Sequence, residues 1–176
     1  MIIKPTGLDG AFVIENKQFQ DHRGLFVKTF HKEIFTNHGL ETDFKESFYS
    51  VSKNNVLRGM HFQLPPQDHV KLVYVVNGEI LDVAVDIRKN SKTFGQYVSV
   101  ELSAGNGKSI YLAKGFAHGF ITLSGDATVV YMTTTVHSPE HDAGIRWDCF
   151  GFDWGTKVPI ISDRDSKFKD LDSILK

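Results

Sequence analysis

Residues 71–87 read KLVYVVNGEILDVAVDI, two β-rich runs on either side of an Asn77-Gly78 pair. Valine and isoleucine at this density favour strands, and Asn-Gly between two such runs favours a two-residue type I′ hairpin. In the second arm Ile80, Asp82, Ala84 and Asp86 share one face, while Leu81, Val83 and Val85 share the other. A lone carboxylate among apolar neighbours in mid-strand is costly to bury, so Asp82 is expected to have a partner.

Further short strands are expected on both sides of this pair. Upstream they fall at residues 11–15, 25–30 and 44–52, with turns at residues 7–11 and 21–24. Downstream they fall at residues 97–102, 109–112, 116–123 and 128–136, separated by glycine-containing turns. Residues 31–38 have the makings of a two-turn helix stopped by Gly39. Phe168, Leu171, Ile174 and Leu175 have helical spacing and predict a short C-terminal helix. Short strands without a βαβ rhythm indicate an all-β antiparallel sandwich or barrel. No repeat, low-complexity tract or linker divides residues 1–176, which are expected to form one domain.

Composition narrows the function classes. An apolar fraction of 41%, a charged fraction of 23% and a net charge of −1 are ordinary globular values. They leave no basic footprint for nucleic acid. Cys149 is the only cysteine and cannot close an intrachain disulfide, which fits a reducing cytoplasm. The N-terminal segment has no signal-peptide pattern, and the longest apolar runs are far too short to span a membrane. A soluble cytoplasmic protein is the expectation. The 14 phenylalanines suit strands and a sandwich interior.

The chemistry concentrates upstream of residues 71–87, in NVLRGMHFQ at residues 55–63. Five histidines (His22, His31, His38, His69 and His141) sit among polar neighbours or near turns and read as structural or solvated. His61 lies in an apolar run after Arg58-Gly59, and His118 lies in KGFAHGF at residues 114–120; each is as consistent with a functional role as with a structural one. Gln63 stands where a metal-binding His-x-His would place its second histidine, which disfavours a metal site. Tyr131 reads as a core aromatic with its hydroxyl tied off. No phosphate loop, no Gly-x-Ser-x-Gly and no electropositive setting for Cys149 are present, so nucleotide hydrolysis, esterase chemistry and a cysteine nucleophile have no support.

The longer motifs have a common source. DHRGLF (residues 21–26), NVLRGMHFQ, KLVYVVNGEILDVAVDIRKNSKTFGQ (71–96), KGFAHGF, the stretch from Tyr131 through SPEHDAGIRW (138–147) and ISDRD (161–165) occur in one order. Together they resemble the dTDP-4-dehydrorhamnose 3,5-epimerases and related nucleotide-sugar epimerases, nearly end to end. The resemblance implies a cupin-type jelly-roll sandwich with short peripheral helices, a homodimer, and no metal or organic cofactor. It implies a nucleotide-linked 4-keto-6-deoxy sugar as substrate, epimerised at carbon 3, carbon 5 or both through an enolate. His61 matches the base, Tyr131 the acid across the ring, Asp165 the carboxylate that orients the base, and Lys71 the cation beside the enolate oxygen. Arg23, Arg58, His118, Asp142 and Arg164 match positions that contact sugar, phosphate or nucleotide, and Phe26, Gln63 and His137 complete the expected binding set. Lys28, Glu46, Phe48, Val136 and His137 depart from the family pattern, which leaves the catalytic set intact and alters the nucleotide set. A keto-sugar 3,4-isomerase and a non-catalytic sugar-nucleotide-binding cupin are the alternatives on the same scaffold.

Overall fold

The structure, a computed structural model, describes residues 1–175. They form thirteen strands: β1 (Ile2–Pro5), β2 (Ala11–Glu15), β3 (Gln18–Asp21), β4 (Gly24–Val27), β5 (Glu46–Lys53), β6 (Leu57–Gln63), β7 (Lys71–Asn77), β8 (Glu79–Asp86), β9 (Tyr97–Ser103), β10 (Lys108–Leu112), β11 (Phe116–Thr122), β12 (Asp126–Thr133) and β13 (Asp142–Gly144). One sheet has the order β1-β2-β10-β7-β12-β5, and a second has β13-β6-β11-β8-β9. Their pairings are antiparallel, and strands far apart in sequence lie side by side, as in a jelly roll. β3 and β4 form a separate hairpin.

The Asn77-Gly78 pair does not make the expected hairpin. β7 pairs with β10 and β12 in the first sheet, whereas β8 pairs with β11 and β9 in the second. Both edges of each strand are therefore occupied, and no ladder remains for the two arms to share. A type I′ turn needs positive φ at both central residues. Among the described non-glycine residues only Asn55 has one, so Gly78 (φ +75°) turns alone. Asn-Gly here carries the chain from one sheet across to the other.

That crossing sets β7 and β8 in facing sheets, and the face assignment in β8 holds. Ile80 and Ala84 join Val73, Val75, Leu102, Ile110, Phe120 and Val129 between the sheets. Val83 and Val85 point outward and pack under Trp154, Ile145 and Leu171 of the C-terminal segment. Asp86 accepts hydrogen bonds from Arg88, Ser91 and Thr93 and so ties down the loop that follows.

The peripheral elements are shorter than their patterns suggest. The helix α1 (Lys32–Asn37) ends at Gly39 (φ +70°) and buries Phe35 against Ile14, Leu72 and Tyr111 on the outside of the first sheet. The C-terminal spacing yields two 3-10 turns, Asp165–Lys167 and Leu171–Leu175, rather than one helix. Six or seven residues are too few to sustain a helix by themselves, and Leu171 is instead fixed by the core it enters. Lys176 lies outside the described residues. No helix among the described residues is long and apolar enough to cross a membrane.

Candidate active site

Arg58 and His61 are three residues apart, a spacing that puts side chains on opposite faces of a regular strand. Both nevertheless line one cavity of about 430 Å³. The register of β6 against β11 shows why. His118 faces His61 and Phe120 faces Arg58, so Gly59 and Met60 together stand opposite Gly119, as in a β-bulge. The bulge brings the two backbones into contact. A Cβ on Gly59 would sit 2.7 Å from the Gly119 Cα, and one on Gly119 would sit 2.7 Å from the Arg58 carbonyl oxygen. Only glycine fits at either place, and the extra residue turns Arg58 and His61 toward the same space.

His61 is oriented from behind. Its Nε2 lies 2.8 Å from Asp165 Oδ1, and the other Asp165 oxygen accepts the Gly59 backbone N–H at 3.1 Å. Burial works against the charged carboxylate, yet the bonds from His61, Gly59 and Ser162 hold its pKa below the usual range. An ionised carboxylate only accepts, so His61 Nε2 carries the proton and Nδ1 keeps its lone pair. Burial also lowers the His61 pKa against the opposing pull of Asp165, with Lys71 and Arg164 adding to the decrease. The ring is neutral at neutral pH, with the bond to Asp165 fixing its orientation.

Lys71, at the start of β7, donates from Nζ to the His61 carbonyl at 2.9 Å. Burial lowers its pKa to about 8, partly offset by the nearby charges of Asp82 and Asp142. Directly across the strand pair from His61, His118 Nε2 lies 2.8 Å from Asp82 Oδ2, and both side chains are buried. The partner expected for Asp82 is therefore His118. Tyr131 enters from β12 in the facing sheet, and burial raises its phenol well above the usual value, against the lowering effect of a Ser50 hydrogen bond. Its hydroxyl lies 3.2 Å from Ser50 Oγ, and its ring, packed in the core between the sheets, also lines the cavity.

The remaining expected residues divide into three groups. Arg58, His118, His137, Asp142 and Arg164 line the cavity with the set above. Arg58 is steadied by Ser52 Oγ at 2.8 Å, and Arg164 is paired with Asp142 at 2.7 Å. Gln63 also lines the cavity, but its amide is engaged within the protein: Oε1 accepts the Ser138 N–H at 2.6 Å and Nε2 donates to the Gln67 carbonyl at 2.7 Å. It clamps two loops together. Arg23 and Phe26 lie on the β3–β4 hairpin and are absent from the cavity wall; Arg23 is paired with Asp21 and 79% exposed.

Two polar wall residues that sequence reasoning missed are Ser50 and His69. Ser50 carries no pattern that marks it. His69 reads from sequence as structural or solvated, yet it lines the cavity, where burial and nearby cations lower its pKa to about 3. Among the described residues, no three His, Cys, Asp or Glu side chains are grouped so as to hold a metal ion.

Comparison with known proteins identifies the family of the chain. The family model described as dTDP-4-dehydrorhamnose 3,5-epimerase matches residues 5–173. A relative of that name from Methanothermobacter thermautotrophicus is 46% identical over 94% of this chain and 92% of its own. The crystal structure of a dTDP-6-deoxy-D-glucose-3,5-epimerase from Legionella pneumophila, in complex with dTDP-4-keto-L-rhamnose, superposes with a TM-score of 0.93 at 38% identity. That match covers 97% of this chain and 93% of the other. A dTDP-4-dehydrorhamnose 3,5-epimerase from Bacillus anthracis, with TDP and PPi bound, gives 0.93 at 35% identity, covering 96% and 98%.

Proposed function

The chain belongs to the dTDP-4-dehydrorhamnose 3,5-epimerase family, and from that footing we propose how it works as an epimerase and on what. The substrate is a nucleotide-linked 4-keto-6-deoxyhexose, and inversion occurs at carbon 3, carbon 5 or both. One observation carries the reading: an oriented imidazole on one sheet and a phenol on the facing sheet share a cavity with the partly buried Lys71 amine.

The ketone at carbon 4 acidifies the C–H bonds on either side of it. His61 Nδ1 takes the proton from one face of the ring, and the electron pair moves into an enolate. Lys71 stabilises the negative charge on the enolate oxygen, an interaction that strengthens only as the charge develops. Tyr131 returns a proton to the opposite face, inverting the carbon. Arg58 and Arg164 suit a diphosphate, since guanidinium forks bind paired anionic oxygens. An isomerase would also begin with proton removal but would move the carbonyl. NMR of the product formed from the dTDP- and UDP-linked keto sugars tests the proposal. An epimer with its carbonyl still at carbon 4 is expected, and a 3-keto product would overturn it.

The active assembly is a homodimer. On β5 and β7 the face turned away from the cavity exposes Tyr49, Val51 and Val76, and the β3–β4 hairpin exposes Phe19, Leu25 and Phe26. Apolar surface of this extent suits contact with another protein. A second copy would cover it and bring Arg23 and Phe26 to a cavity they do not reach in their own chain. Light scattering should give twice the chain mass, and Val51→Arg should halve that mass and lower activity at least about tenfold if the hairpin completes the site. A monomeric wild-type protein with full activity would contradict this.

A further inference from the structure

One face of β5 carries Glu46, Phe48, Ser50 and Ser52 at alternate positions, and each meets a cavity group. Glu46 accepts the His137 backbone N–H at 2.6 Å, and Ser52 accepts from Arg58 Nε at 2.8 Å. The two between them converge on Tyr131. Phe48 is its direct partner in the strand register, and the rings stack with centroids 4.8 Å apart and planes inclined by 16°. Ser50 Oγ lies 3.2 Å from the Tyr131 hydroxyl. His118 meets the same ring edge-on, with centroids 6.3 Å apart. Phe48 itself is 46% exposed in the cavity wall, so core packing alone does not account for an apolar ring there.

We infer that Phe48 and Ser50 are positioning residues for the proton donor: Phe48 fixes the plane of the Tyr131 ring, and Ser50 donates to the phenol oxygen so that the phenol O–H faces the cavity. This rests on the proposed role of Tyr131. In the step itself the Tyr131 O–H bond breaks as the enolate electron pair forms a C–H bond opposite His61. The resulting phenolate keeps the Ser50 O–H as its donor. Solvent then reprotonates the phenolate and takes the proton that His61 removed. Without Ser50 the phenol proton has no fixed direction and the phenolate loses a hydrogen bond. Without Phe48 the ring can tilt about its side-chain torsions.

Inversion and proton removal can be counted separately in deuterated water. His61 alone can remove a proton and return a deuteron to the same face, giving exchange without inversion. The ratio of inverted product to total exchange therefore reports the donor. Phe48→Ala and Ser50→Ala should each lower that ratio about tenfold with KM within about twofold, because small misplacements of a reacting group cost rate rather than affinity. Phe48→Tyr and Ser50→Thr, which keep the ring and the hydroxyl, should restore it. In a Tyr131→Phe background Phe48→Ala should add nothing.

An unchanged ratio in both alanine variants, with inversion lost in Tyr131→Phe, would overturn the inference and leave the donor in place. A raised KM with an unchanged ratio would make Phe48 a binding wall only, and would also overturn it. Normal inversion by Tyr131→Phe would instead remove the donor on which the inference rests. Ser50→Ala deletes a single oxygen and decides the matter if Phe48→Ala does not fold.

Discussion

Replacing His61 by alanine will abolish both deuterium exchange and inversion, with turnover falling about a thousandfold or more. A positioned general base contributes ~10²–10⁴. His118, directly across the strand pair and likewise held by a carboxylate, is almost fully buried, whereas His61 is partly open to the cavity. The expected loss is chemical rather than structural, because His61 is only partly buried and its removal leaves the Gly59 N–H bond to Asp165 intact. Near-ultraviolet circular dichroism should be unchanged while single-turnover exchange disappears. Normal exchange by the variant would show that another residue is the base.

Lys71→Met will cost about 10²–10³ in kcat, the range seen when a group that stabilises developing oxyanion charge is removed. KM should move little, since the ketone is neutral in the ground state and the enolate charge exists only later. The pH profile adds a signature that packing loss would not produce. His61 must be neutral, so kcat/KM should fall on acidification below the ordinary histidine range, where burial has lowered its pKa. Lys71 must be charged, so kcat/KM should fall as pH rises through about 8, where the buried ammonium gives up its proton. Lys71→Met should retain the acid limb and lose the alkaline one. An alkaline limb near 8 that survives the substitution would assign it to another group.

Residues 71–87 show both the reach and the limit of the sequence. Alternation placed Asp82 and Ala84 on one face and Val83 and Val85 on the other, and that pattern depends only on strand pleating. The Asn77-Gly78 turn was misread because local propensity cannot register that β10, β12, β11 and β9 already occupy the edges of both arms. The proposed catalytic set came only from the resemblance carried by long ordered motifs, and its geometry was not legible. Nothing local shows that Asp165 comes to lie behind His61, 104 residues away, or that a bulge at Gly59 and Met60 turns Arg58 to the same side. Ser50 and His69 stayed hidden because a serine on a strand and a histidine near a turn are ordinary occurrences. Arg23 and Phe26 are expected to bind substrate, yet a single chain leaves them outside the cavity.

In the proposed mechanism His61 and Tyr131 work from opposite faces of a ring whose carbon acidity comes from the adjacent ketone. Incubation of the dTDP-linked 4-keto-6-deoxy sugar with the wild-type protein in deuterated water tests it most directly. Solvent deuterium is expected at carbon 3, carbon 5 or both, within an epimerised product. Epimerised product with no deuterium at either carbon would contradict it.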